Sequence, residues 1–202
     1  MQSSQALKAA VAILVTIALW SNGWFYPLIL LPFLYVKWVA NKSFRWIGFR
    51  KETVFYSAFL GGLLSFVVVL VWYPIFVYYL PLLENVSITL YTLFTDIVWY
   101  PFYKEVTYRG FILAHLIIDK SNIFSARNLA ANFMQTGLFL SVHYKFIASN
   151  TLLFFVPAFF LGIVSGLIFL KTRNIFGCIL CHSLTNGTAH LITILLGKGF
   201  LG

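Results

Sequence analysis

Charge is what this chain has least of. Five Asp and Glu and 14 Lys and Arg make up only 9% of its 202 residues. A soluble domain carries roughly 25% charged residues to clothe its surface, so the composition excludes a soluble enzyme, a soluble DNA-binding domain and a disordered chain. Cysteine is almost absent. Cys178 and Cys181 sit together inside an apolar stretch, which excludes an extracellular disulfide framework. Linkers, low-complexity tracts and internal repeats are also missing, so the chain reads as one integral-membrane domain over residues 1–202. What it has in excess is apolar: 61% hydrophobic and 19% aromatic residues, the balance of a polytopic membrane protein.

The net charge of +9 does not point to nucleic acid. Its cations are spread thinly between apolar stretches, as in the cytoplasmic loops that orient a membrane protein and face an anionic leaflet. Lys8 precedes an apolar run from Ala9 to Trp20, and the following Ser-Asn-Gly offers no small-x-small cleavage site. That run is expected to be an uncleaved first span.

A spanning helix needs about 20 apolar residues. The spans are expected near 6–22, 25–40, 53–79, 88–118, 128–147, 151–170 and 174–196. The fold class is therefore an all-α transmembrane bundle of about seven spans, between six and eight. Ser21-Asn22-Gly23 would make a tight turn, and Pro74 and Pro101 predict tilt or a kink. Every second loop is basic: Lys42, Arg45, Arg50 and Lys51, then Lys120 and Arg127, then Lys171 and Arg173. This pattern puts the N-terminus in the cytoplasm. The small size suits a prokaryotic plasma membrane.

An ionisable side chain in hydrocarbon costs at least roughly 2.5–3.5 kcal/mol, so each one is a functional candidate. Three places qualify: Tyr103-Lys104-Glu105-Val106-Thr107-Tyr108-Arg109-Gly110, Phe139-Leu140-Ser141-Val142-His143, and His182-Ser183-Leu184-Thr185-Asn186. Glu105 and Arg109 are four apart and share a helical face, as do His182, Asn186 and His190. At about 1.5 Å per residue from the cytoplasmic ends, Glu105, His143 and Asn186 fall about 20, 22 and 18 Å deep, with His182 one turn shallower. A carboxylate, an imidazole and an amide at matched depth predict one buried polar site. Asp96, Glu84 and His115 read as structural or interfacial.

These residues resemble the signature of the CPBP intramembrane proteases, which include type II CAAX prenyl proteases and bacteriocin-processing, Abi-like proteins. That signature is E-E-x-x-x-R, F-x-x-x-H and H-x-x-x-N on successive core helices. The second and third motifs are intact as Phe139…His143 and His182…Asn186. The first carries Lys104 where the leading Glu belongs, followed by Glu105 and Arg109. The resemblance covers about residues 45–190. It implies an intramembrane endopeptidase acting on a membrane-anchored or lipidated protein or peptide. In that scheme His143 would be the base partner that activates water, His182 and Asn186 the oxyanion donors, and Arg109 the orienter. Glu105 would take the place of the second Glu. No cofactor is required, and zinc could be held by Glu105, His143 and His182.

Lys104 leaves three readings open. Glu105 serves as base after rotation of its helix, neighbouring positions differing by about 100°; Lys104 is neutral and basic through burial; or hydrolysis is lost and the chain is a pseudo-protease, scaffold or immunity protein. A small ion-coupled transporter is the rival from another class, although no inverted repeat is present. Cys178-Ile-Leu-Cys181-His182 matches the c-type haem attachment pattern but lies within an apolar helix, where two small packing residues are the simpler account.

Overall fold

The computed structural model describes residues 10, 30–79, 86–117, 122–141, 143, 151–196 and 199–201. The expected first span, the Ser21-Asn22-Gly23 turn and Glu84 lie outside the described residues. Helix α1, Leu30–Leu34, runs on as a π-helical turn to Val39, and a 3-10 turn follows at Phe44–Ile47. Then come α2 (Val54–Tyr79), β1 (Val86–Ile88) and a helical stretch built of α3 (Leu90–Phe94), α4 (Tyr100–Glu105) and α5 (Ala114–Leu116). The bundle closes with α6 (Ala126–Ser141), α7 (Thr151–Thr172), α8 (Phe176–Leu195) and β2 (Gly199–Leu201). The fold is an all-α membrane bundle. Val54–Tyr79, Leu153–Thr172 and Phe176–Leu195 are long and apolar enough to cross a bilayer.

Two local departures from expectation matter. The fourth expected span is not one regular α-helix: π-helical segments at Thr95–Trp99 and Val106–Leu113 flank α4. Pro101 has no N–H to give to the carbonyl of Ile97, and the widened turn stands immediately before it. The other is the parallel pairing of β1 with β2, Val86 against Gly199 and Ile88 against Leu201. Such pairing satisfies backbone groups that an irregular segment would leave open beside lipid.

The helices approach closely where side chains are small. A Cβ on Gly61 of α2 would collide with the Gly177 carbonyl, and one on Gly177 of α8 would collide with Ser57. Small residues let backbones touch where no hydrophobic force separates helix from lipid. Ser57 Oγ accepts from the Gly177 N–H at 3.0 Å and donates to the Asn174 carbonyl at 3.2 Å, tying α2 to the start of α8. Asn174 Nδ2 also donates to the Arg50 carbonyl and to Thr53 Oγ1. Two of the basic loops therefore meet at one end of the bundle. Gly162 and Gly166 of α7 face Thr136 and Asn132 of α6, so this small-residue stripe is packing. Cys178 and Cys181 are fully buried in the apolar core.

Candidate active site

The first motif fixes two opposite environments on one short helix. Lys104 and Glu105 are neighbours on α4 and so point about 100° apart. Glu105 turns into the bundle and is completely buried. Its Oε1 accepts from Arg109 Nη1 at 3.0 Å and from His182 Nδ1 at 2.7 Å. The i,i+4 spacing thus delivers the expected Glu105–Arg109 pair. Arg109, equally buried, sends Nη2 to the carbonyl of Gly162 at 3.0 Å and lies 4.7 Å from the Phe139 ring centroid. A carboxylate joined to one guanidinium and one imidazole links α4, α7 and α8.

Lys104 points the other way, to His143. Its Nζ stands 2.8 Å from His143 Nε2. The other ring nitrogen, Nδ1, lies 2.6 Å from the Phe139 carbonyl. A carbonyl only accepts, so Nδ1 carries the hydrogen, and a neutral ring offers its lone pair at Nε2 to the lysine. The F-x-x-x-H spacing has a plain cause here. The carbonyl of Phe139 orients the imidazole of the residue four positions on, and its ring packs 4.6 Å from His143 and 6.0 Å from His182.

Lys104, His143, His182 and Asn186 all line one cavity of about 360 Å³, walled on its apolar side by residues such as Trp72 and Leu153. Glu105 and Arg109 stand behind this wall and do not line it. The rotation that would give Glu105 the place beside His143 is not present: Lys104 occupies it. Expected depth also failed to sort the partners, since Glu105 meets His182 and not His143.

Asp96 is the functional candidate that sequence reasoning missed. It lines the same cavity, with Tyr100 and Lys104 four and eight positions further along the same helical stretch. Its carboxylate Oδ2 lies 3.0 Å from His190 Nε2, and its backbone carbonyl accepts from Asn186 Nδ2 at 2.7 Å. The stripe spacing was the available signal. His115, by contrast, is enclosed by Trp46, Tyr35 and Phe111 and donates from Nδ1 to the Phe111 carbonyl, a structural role.

The zinc set does not fit this arrangement. His182 Nδ1 is joined directly to Glu105, while His143 Nε2 faces an ammonium. Among the described residues no three His, Cys, Asp or Glu side chains are grouped to hold a metal ion.

A family model described as type II CAAX prenyl endopeptidase Rce1-like matches residues 85–188, the stretch that holds all four cavity-lining polar residues of the three motifs. The chain belongs to this family. Comparison with curated proteins and with solved structures gave no match. An Rce1-like chain with this apolar bundle is an integral membrane protein of a protease family, and its general partner is a membrane-associated prenylated peptide.

Proposed function

We propose that this Rce1-like protein is an intramembrane endopeptidase that hydrolyses a peptide bond of a membrane-anchored, lipidated polypeptide. The observation that carries this reading is the cavity itself. Two imidazoles and a carboxamide from two segments converge on a largely apolar pocket of about 360 Å³, within the roughly 300–1,000 Å³ of ligand-binding pockets. Amide hydrolysis needs a base for water and preorganised donors for the developing charge, and these residue types supply both. The surrounding Trp and Phe side chains suit an apolar peptide.

The test is release of the C-terminal fragment from a prenylated peptide in liposomes containing the purified protein. Cleavage that disappears in His182→Ala and Asn186→Ala is the expected result. Cleavage untouched by both would sink the proposal.

One observation favours a second reading, in which the protein binds such peptides without cutting them. The 2.8 Å Lys104–His143 contact occupies the lone pair that the family pattern reserves for water activation. Wild-type protein that binds but does not cleave, and gains cleavage on Lys104→Glu, would establish that reading.

A further inference from the structure

Read atom by atom, the cavity has its acid–base polarity set opposite to the order implied by the family pattern. His143 is no longer a free base: Phe139 takes its Nδ1 hydrogen and Lys104 takes its Nε2 lone pair. His182 is the reverse case. Its Nδ1 hydrogen goes to the buried carboxylate of Glu105, which is itself held by Arg109. A carboxylate on one ring nitrogen fixes the tautomer that leaves the lone pair on the other. That other nitrogen is Nε2, on a residue that lines the cavity.

Lys104 completes the inversion. It brings an ammonium to the cavity wall with three hydrogens, one of them used on His143. Among the described residues no carboxylate lies within 4.0 Å of it; the ion pairs there join Arg45 to Glu52, Glu105 to Arg109 and His182, and Asp96 to His190. Its remaining neighbours are the rings of Tyr100 and Phe139, 5.5 and 5.9 Å from the nitrogen to the centroids. A cation so placed is complementary to an anion. Asn186, on the same cavity, gives one amide hydrogen to the Asp96 carbonyl and keeps the second.

We infer that Lys104 and Asn186 form the anion site of this cavity, which takes the oxyanion of a tetrahedral peptide adduct, and that the Glu105-braced His182 is the base. The inference rests on the peptidase reading for its base half only. In the reaction, His182 Nε2 takes a proton from water as the water oxygen bonds to the peptide carbonyl carbon. The carbonyl π pair moves onto oxygen, where Lys104 Nζ and Asn186 Nδ2 donate to it. The pair then returns, the C–N bond breaks, and the departing nitrogen takes the proton back from His182. A carboxyl product and an amine leave, with no other reactant consumed.

A peptide phosphonate, an anionic mimic of the tetrahedral adduct, separates the two halves, with the parent neutral amide as control. Both are measured on the full chain in liposomes by binding, and the prenylated peptide by turnover. Lys104→Ala is expected to weaken phosphonate binding about 10²-fold, while leaving amide binding intact, and Lys104→Arg to restore most of it. Turnover is expected to fall by a similar factor in Lys104→Ala, to vanish in His182→Ala and to fall less far in His143→Ala, which removes only the ring that Lys104 holds. Phosphonate binding that ignores Lys104 would overturn the anion site. A rise in turnover on Lys104→Glu would overturn the inverted polarity while the peptidase reading stands. Absence of turnover in wild type would end the peptidase reading and the base assignment together, whereas Lys104-dependent phosphonate binding in that same protein would still support the anion site.

Discussion

Lys104 and Glu105 are adjacent in the chain, and they live in opposite worlds. The Glu105 side is a closed network in which one carboxylate oxygen serves two donors, Arg109 and His182, and only the His182 ring reaches the cavity. The Lys104 side is open: a part-buried cation on the cavity wall, bound to one neutral ring. The comparison teaches which part of the first motif is architecture. Change at the inner position would strip a buried cation and an imidazole of their shared partner. Change at the outer position alters only what the cavity presents, so even a reversal of charge is compatible with an intact bundle.

The largest effect should come from breaking the inner side. Glu105→Ala leaves Arg109 buried and uncompensated, and removal of one partner of a buried pair costs about 3–5 kcal/mol. Thermal unfolding in detergent is expected to drop steeply or the protein to fail to fold; near-wild-type stability would abolish the distinction between the two sides. Arg109→Lys tests the fork geometry, since an ammonium cannot hold Glu105 and the α7 carbonyls as a planar guanidinium does. A loss of about 2 kcal/mol is expected, in the range for hydrogen bonds to charged groups. Lys104→Met should move the other way. It replaces a cavity cation by an apolar chain of similar length, and a gain of about 1 kcal/mol is expected because a partly buried charge is removed. A clear loss of stability would show that Lys104 is architecture after all. The smallest effect belongs to His190→Gln. Its pairing with the part-exposed Asp96 is worth about 0–1 kcal/mol, so unfolding should barely change.

Much of this was legible beforehand, for reasons that can be named. The apolar composition leaves no soluble alternative, and long uninterrupted runs mark α2, α7 and α8 because a bilayer demands length and little else. Four-residue spacing marks Glu105–Arg109 and the Phe139–His143 contact because a helix stacks such positions. Which polar group meets which across helices was not legible. Depth along an axis says nothing about rotation around it, so Glu105 could be placed at the level of His143 without facing it. Asp96 escaped for a related reason. It looked solitary in the chain, whereas its partners His190 and Asn186 lie on α8.

The widened turns on either side of α4 carry a consequence for how such a site can change. A π-helical turn holds one more residue than the α-turn it replaces, so the stretch from Leu90 to Leu116 keeps residues in reserve. Excising one from Thr95–Trp99 would tighten that turn to an α-turn and leave everything beyond it facing nearly as before, whereas the same deletion within a regular α-turn swings the downstream residues by about 100°. The loss of one residue there is absorbed locally, and Lys104 keeps its place beside His143.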